Sequence, residues 1–135
     1  MANINNYHTI DSLRERCQKM IPKVAFEYLQ SGTEKERLLT LNESQFDKIK
    51  FIPKFCLGSK VASLKTTFLN QNFSSPIGIA PVGLTGLIWP KAEHFLATVA
   101  DSKSIPFCLS TVATCSPEDL DKKQIFNPTT KWFQL

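Results

Sequence analysis

The sequence has few of the side chains from which catalytic and metal centres are built. Its 135 residues include two histidines, His8 and His94, and neither has a serine or cysteine partner at a recognisable spacing. The four cysteines are spaced too irregularly for a paired-cysteine metal site, and no histidine lies close to any two of them. We therefore expect no bound metal, and we expect the cysteines to be reduced thiols. They are Cys17, Cys56, Cys108 and Cys115.

The sequence also lacks a membrane-spanning run, an export signal and a basic cluster. Its longest apolar stretch, residues 76–90, contains three prolines and is too short to cross a bilayer. No basic region followed by an apolar core opens the chain, which argues against secretion. The net charge of +4 comes from scattered lysines, of which only Lys122 and Lys123 are adjacent, whereas nucleic-acid binders cluster them. These absences predict a cytoplasmic protein that binds no nucleic acid.

The first 50 residues contain the patterns of three short helices. Apolar residues at helical spacing begin after Thr9, whose side chain can cap the first turn. A second helix is predicted over residues 23–30, with Gly32 at its C-terminal cap. Thr33 and Glu36 have the spacing of a capping box and predict the start of a third helix.

The pattern changes after residue 50. IPKFC and KTTFL alternate like short strands, and three apolar segments follow, IGIAP, PFCLS and KWFQL. Helical patterns separate these three, over residues 91–103 and in SPEDLDKK, where Ser116 is expected to cap and Pro117 to begin a helix. Alternation of strands and helices predicts a parallel sheet, and continuously apolar strands predict burial of both its faces.

Side-chain burial can be predicted for two helices. On the helix over residues 91–103, we expect one apolar face to be buried, and His94 to be exposed. Tyr28 belongs to an amphipathic pattern and is expected in the core. The expected buried face of residues 91–103 consists of Ala92, Phe95, Leu96, Val99 and Ala100.

Three glycines punctuate the apolar stretch after the first predicted strand. Gly78, Gly83 and Gly86 lack the spacing of a dinucleotide-binding fingerprint, and no Lys-Ser or Lys-Thr follows them as in a P-loop. They still predict free backbone N–H groups at the C-terminal end of a strand, where ligands bind in α/β proteins. Two interpretations stay open at this point: ligand binding, or close packing of strand and helix.

Four segments together have the order and spacing of a known family. They read PKVAFEYLQSGTEKE, SPIGIAPVGLTGLIWPKAE, IPFCLSTVATCSPEDL and WFQL, and they cover nearly the whole chain. The sequence resembles the FMN-dependent α-hydroxy-acid dehydrogenase and oxidase family, which includes L-lactate dehydrogenase, mandelate dehydrogenase and glycolate oxidase. WPK after the glycine turn is most similar to the bacterial lactate and mandelate dehydrogenase branch.

The resemblance implies an α/β fold that is the truncated N-terminal portion of a (β/α)8 TIM barrel. It implies a helical segment over residues 1–50, short strands or a hairpin at the barrel base over residues 51–75, and an incomplete FMN-binding barrel over residues 76–135. IGIAP, FCLS and WFQL would be barrel strands one to three. FMN would lie at the C-terminal face of the barrel.

The resemblance also implies roles for individual residues. Tyr28 matches the tyrosine that binds the substrate carboxylate, and Ser110 and Gln134 match side chains that bond the polar edge of the flavin. The family's catalytic histidine, substrate-binding arginines and phosphate-binding loop lie in later strands, so no catalytic residue is expected in this chain. The backbone expected to lie against the flavin ring belongs to Ala80, Pro81, Val82 and Gly83.

The implied reaction is oxidation of an L-2-hydroxy acid to a 2-oxo acid. We expect the chain alone to be inactive and to hold FMN only weakly. The alternatives are a non-catalytic remnant of a truncated gene, a fragment completed by a separate chain, and a complete small binding protein. A homo-oligomer, and attachment to the inner face of the membrane, are compatible with the resemblance.

Overall fold

The computed structural model of the chain describes residues 7–56, 58, 60–121 and 131–135. Contacts between residues divide the chain into two compact units, Met1–Val61 and Ala62–Leu135. In the described residues, the first unit contains helices alone, and the second contains all the strands. The finer boundaries expected at residues 50 and 75 stay a prediction.

The three helices predicted for the first unit are present. Thr9 caps α1 as expected, because its side-chain oxygen accepts a hydrogen bond from the Ser12 backbone N–H at 3.2 Å. Helix α2 buries Ala25 and Phe26. The helices are α1 (Ile10–Met20), α2 (Lys23–Gln30) and α3 (Arg37–Phe46).

Two predicted helix caps in this unit are wrong. Helix α3 begins one residue after Glu36, which has a left-handed backbone conformation with φ 53°. The Glu36 carboxylate accepts a hydrogen bond from the Gly32 N–H at 3.1 Å and so does not form the predicted capping box. Gly32 does not cap α2, which ends at an extended Ser31. Gly32 instead makes room for Leu39, whose Cγ would lie 3.0 Å from an added Cβ.

The second unit opens with a β-hairpin. Strands β1 (Thr66–Phe68) and β2 (Gln71–Phe73) pair antiparallel, and Thr66 lies opposite Phe73. The two turn residues, Leu69 and Asn70, both have positive φ, as a tight two-residue hairpin turn requires. KTTFL therefore forms a strand in part, whereas no strand is present in the described residues 51–56.

Two parallel strands follow, and a single bridge extends them. Strands β3 (Phe107–Leu109) and β4 (Lys131–Phe133) pair in parallel, and Ile79 forms an isolated parallel bridge to Phe107 on the other edge of β3. The first predicted barrel strand is therefore reduced to one residue pair in this structure. Pro76 and Pro81 flank the bridge and have no N–H to extend a ladder, which explains the difference.

Helices α4 (Thr85–Ile88), α5 (Ala92–Lys103) and α6 (Pro117–Asp121) lie between these strands in sequence. The start of α6 was predicted correctly. Its cap residue, Ser116, accepts a hydrogen bond at Oγ from the Asp119 N–H and donates its own N–H to the Asp119 carboxylate, both at 3.2 Å.

The core of the second unit lies between α5, α6 and β3, and the predicted face of α5 is partly wrong. Phe95 is 58% exposed and Val99 50% exposed, whereas Glu93 is buried. The helix turns its alanines inward because these small side chains let it lie close to the sheet. His94, expected to be exposed, is half-buried and its Nδ1 is fully covered. The core residues are Ala97, Ala100, Phe107, Leu109 and Leu120.

The opposite face of the parallel strands packs against the hairpin. The Trp132 ring lies 5.5 Å from that of Phe68 and 6.1 Å from that of Phe73, measured between ring centroids. An apolar cavity of about 430 Å³ adjoins this cluster and is also lined by Ile79 and Cys108. Helices thus cover one face of the sheet. The hairpin covers part of the other face and leaves an open cavity beside it.

Candidate cofactor site

Three segments meet at one edge of the parallel sheet. Because Ile79, β3 and β4 run in the same direction, the residues after each of them leave from the same edge. In open α/β sheets this C-terminal edge is where ligands bind. The residues that leave there are 80–83 after the bridge, Ser110 after β3 and Gln134 after β4.

Ser110 and Gln134 are hydrogen-bonded to each other. The Ser110 Oγ donates to Gln134 Oε1 at 3.3 Å and accepts from the Val112 N–H at the same distance. The Gln134 N–H donates to the Leu109 carbonyl at 2.9 Å, so the backbone also fixes this residue. Ser110 is buried and Gln134 is exposed. With Oε1 occupied by the serine, the Gln134 Nε2 group remains a hydrogen-bond donor.

Residues 80–83 lie next to this pair. Ala80 and Val82 line a small cavity of about 10 Å³ together with Ser110. Ala80 and Pro81 also line the larger apolar cavity. Val82 is exposed, and Gly83 is half-buried. The structure therefore brings six of the seven predicted site residues to one edge, and their roles toward a cofactor stay predictions.

A buried carboxylate behind these residues was not predicted. Glu93, at the start of α5, is 2% exposed. Its Oε1 accepts hydrogen bonds from the Gly86 N–H at 3.2 Å, the Thr114 N–H at 2.9 Å and the Thr114 Oγ1 at 2.7 Å. Burial by itself raises the pKa of Glu93, but hydrogen bonds to the carboxylate, chiefly from the N–H and hydroxyl of Thr114, outweigh it and lower the pKa from 4.5 to about 2. The group is therefore ionised at neutral pH.

Two of the three glycines are required for close packing. A Cβ on Gly86 would lie 1.9 Å from Thr114 Oγ1, and one on Gly78 would lie 2.5 Å from Pro106 Cγ. Free backbone N–H groups were expected after this strand, but the N–H of Leu84 donates to the Val112 carbonyl at 3.0 Å. The packing interpretation thus accounts for Gly78 and Gly86 without a ligand.

Tyr28 does not lie in the core, so that expectation is wrong. It is on α2 and is half exposed, because α2 buries the neighbouring side chains Ala25 and Phe26 instead. Tyr28 belongs to the first unit, and its role as a substrate ligand stays a prediction.

All four cysteines are free thiols. Burial raises the pKa of Cys108, and burial together with the charges of Glu93 and Asp119 raises that of Cys115. Both thiols are therefore protonated at neutral pH and are weak nucleophiles. In the described part of the chain, no three His, Cys, Asp or Glu side chains are grouped closely enough to hold a metal ion.

The geometry defines an α/β protein in which six predicted site residues share one edge of a parallel sheet. Comparison with known proteins gives the family. Residues 17–135 match the sequence model of FMN-dependent dehydrogenases, and the chain belongs to that family. The resemblance drawn from the four sequence segments is thereby confirmed.

Similar proteins are mandelate and lactate dehydrogenases. The chain is 35% identical to (S)-mandelate dehydrogenase of Pseudomonas putida over 130 residues. This match covers 96% of the present chain and 32% of the dehydrogenase. It is 36% identical over 122 residues to L-lactate dehydrogenase of Xanthobacter autotrophicus, covering 90% of this chain and 31% of the relative. The chain thus spans about a third of the length of these relatives.

Solved structures show the same similarity to mandelate dehydrogenase. A crystal structure of the monotopic membrane protein (S)-mandelate dehydrogenase superposes with a TM-score of 0.86 at 35% identity, covering 96% of this chain and 34% of that one. Among the helices described for the present chain, none is long and apolar enough to cross a membrane. The described strands do not form a closed barrel.

Proposed function

We propose that this chain supplies the N-terminal part of an FMN-dependent L-2-hydroxy-acid dehydrogenase of the lactate or mandelate type. In this proposal the Ile79 bridge, β3 and β4 are the first three strands of a (β/α)8 barrel. The observation that carries it is the hydrogen bond between Ser110 and Gln134, at the common C-terminal edge of parallel strands.

The residues at this edge fit an isoalloxazine ring. The ring has an apolar face and a polar edge, so it needs a small, close backbone together with hydrogen-bond donors. No described residue accepts a hydrogen bond from the backbone N–H of Val82 or Gly83. The Gln134 amide supplies a further donor, and Ala80 leaves the backbone accessible. This donor set supports the assignment of residues 80–83, Ser110 and Gln134 to the cofactor.

When bound, FMN accepts the two electrons removed from the hydroxy acid. The residues of this chain would orient the ring. The donors at Val82, Gly83 and Gln134 would stabilise negative charge that gathers near the reduced ring, and so raise its potential. Tyr28, through its phenolic O–H, would bind the substrate carboxylate. The base that takes the substrate proton is not assigned to any residue of this chain.

A second function has one observation in its favour. The apolar cavity beside Trp132 is open, and Phe133 at the end of β4 is exposed. Such a surface suits a fragment that a separate chain or a second copy completes. A non-catalytic remnant of the same gene family would have the same surface.

The 135-residue chain alone is expected to show no 2-hydroxy-acid oxidation. Purified protein, supplied with FMN and L-lactate or (S)-mandelate, should reduce a dye no faster than FMN alone. The reason is that the six residues assigned to this sheet edge would orient a flavin but include neither a base nor a phosphate site. Substrate-dependent dye reduction by this chain would contradict the expectation.

A chimera tests the positive half of the proposal. Residues 1–135 are fused to the remaining two thirds of the P. putida mandelate dehydrogenase, and FMN content and mandelate oxidation are measured. We expect flavin to copurify, and the double substitution Ser110→Ala with Gln134→Ala to weaken FMN retention at least tenfold. Glu43→Gln, an exposed change on α3, is the matched control. Equal FMN retention in the double variant would overturn the assignment.

A further inference from the structure

Glu93 connects the segments that follow the Ile79 bridge and β3. Gly86 belongs to the segment after Ile79, and Thr114 belongs to the segment after β3. Both donate to the same carboxylate oxygen, at 3.2 Å from the Gly86 N–H and at 2.9 and 2.7 Å from Thr114 N–H and Oγ1. Because Glu93 is almost fully buried, water does not compete for these bonds, and bonds to an ionised acceptor are the strong ones.

Few other hydrogen bonds link these two segments in the described residues. In the described residues, the backbone contributes one direct hydrogen bond between them, from Leu84 N–H to the Val112 carbonyl. A side chain at position 86 could not take over this link, because its Cβ would lie 1.9 Å from Thr114 Oγ1. The bonds to Glu93 are therefore most of the hydrogen bonding between these two segments.

The same carboxylate lies behind the candidate cofactor site. Glu93 and Thr85 line the small cavity that Ala80, Val82 and Ser110 also line. Glu93 Oε2 and Thr85 Oγ1 are both buried atoms. At about 10 Å³ the cavity has room for about one water molecule. Because so little space separates them, a displacement of the Glu93 side chain would also displace Ala80, Val82 or Ser110.

We propose that Glu93 is a positioning residue of the cofactor site. By tying Gly86 to Thr114 it sets the distance between residues 80–83, whose backbone would face the flavin, and Ser110, whose side chain would meet the flavin edge. The cofactor part of this statement rests on the proposed function. The link that Glu93 makes between Gly86 and Thr114, called the tie below, does not rest on the proposed function. A separate measurement tests each part.

Amide hydrogen exchange in the 135-residue chain tests the tie. Glu93→Gln keeps the shape but replaces the charged acceptor by a weaker neutral one. We expect exchange of the Gly86 and Thr114 amides to accelerate about tenfold or more, relative to the Cys108 amide in β3. Ala100→Gly, which weakens the same helix at a core position outside that cavity, should accelerate all three together. Equal acceleration of the three amides in Glu93→Gln would overturn the proposal.

A second pair of variants keeps the test decisive if Glu93→Gln does not fold. Thr114→Val retains the shape of the side chain and removes its hydroxyl donor, whereas Thr114→Ser retains the hydroxyl. We expect the valine to accelerate exchange of the Thr114 amide several-fold, and the serine to leave it within about twofold. A packing role predicts the reverse order, and that result would overturn the proposal.

FMN titration of the same variants tests the positioning role. The shifts of the Ser110 and Gln134 amide resonances report weak binding. We expect Glu93→Gln to weaken the apparent FMN affinity at least fivefold, and Ala100→Gly, outside the cavity, to leave it unchanged. Equal affinity in Glu93→Gln would overturn the positioning role. If FMN shifts no resonance in the unsubstituted chain, the proposed function fails, and selective exchange at Gly86 and Thr114 still supports the tie.

Discussion

Replacing Lys131 by alanine is expected to raise the exchange rate of the β3 and β4 amides about a hundredfold, which corresponds to about 3 kcal/mol. The Lys131 side chain is fully buried, and its Nζ lies 2.5 Å from Asp101 Oδ2, which links β4 to α5. Removing Lys131 takes this ammonium group away from the partly buried Asp101 carboxylate, and also removes the buried packing of the lysine stem. The Asp101 side chain is 31% exposed, so the cost falls at the low end for buried pairs.

The controls separate charge from packing. Lys131→Met keeps most of the side-chain stem, so its difference from alanine measures the packing of that stem. Lys103→Ala removes an exposed lysine from α5, the helix that carries Asp101, and should change the amide exchange rates by no more than about twofold. If Lys131→Ala and Lys103→Ala behaved alike, the ion pair would not stabilise the sheet.

The second large effect is a loss of stability in acid caused by Glu93. The pKa of this carboxyl is lowered from 4.5 to about 2 in the folded chain. A lowered pKa stabilises the folded state above pH 4.5, and that contribution is lost as the pH falls toward 2. With about 1.4 kcal/mol for each pH unit, the loss amounts to about 3 kcal/mol. Urea unfolding followed by circular dichroism from pH 6 to pH 2 measures it.

Glu93→Gln identifies the group responsible for this acid dependence. The variant should be less stable than the unsubstituted chain at pH 6, and the difference should shrink as the pH falls to 2. Glu43→Gln, which changes an exposed carboxylate, should leave the pH profile unchanged. Parallel profiles for Glu93→Gln and the unsubstituted chain would contradict the lowered pKa.

Local signals predicted the helices and turns well. Thr9 and Ser116 cap their helices as expected, because an N-cap needs only a side-chain oxygen and the next few backbone N–H groups. The hairpin turn that follows KTTFL contains Asn70, a residue type that tolerates a positive φ. The Thr33–Glu36 spacing failed because the chain enters α3 through a left-handed Glu36, a conformation that the spacing does not reveal.

Tertiary contacts decided what the sequence could not. Period alone placed Phe95 and Val99 on the buried face of α5, but close packing on β3 favoured its alanines. Glu93 was missed because its donors, Gly86 and Thr114, are 7 and 21 residues distant in sequence. The only available signal was a carboxylate beside buried positions, and buried glutamates are rare.

The candidate site was predicted through the family resemblance, and composition alone did not reveal it. The glycine pattern left ligand binding and packing open, and the structure assigns Gly78 and Gly86 to packing. The meeting of Ser110 with Gln134 follows from the parallel register of β3 and β4, which periodicity cannot supply.

The most direct test of the central claim is an FMN titration of the 135-residue chain followed by amide resonances. The proposed site predicts weak binding, with shifts concentrated at Val82, Gly83, Ser110 and Gln134. The exposed residues of α3 should not move, and they serve as the internal control. Shifts spread over α3, or no shift at millimolar FMN, would contradict the claim that this sheet edge is part of a flavin site.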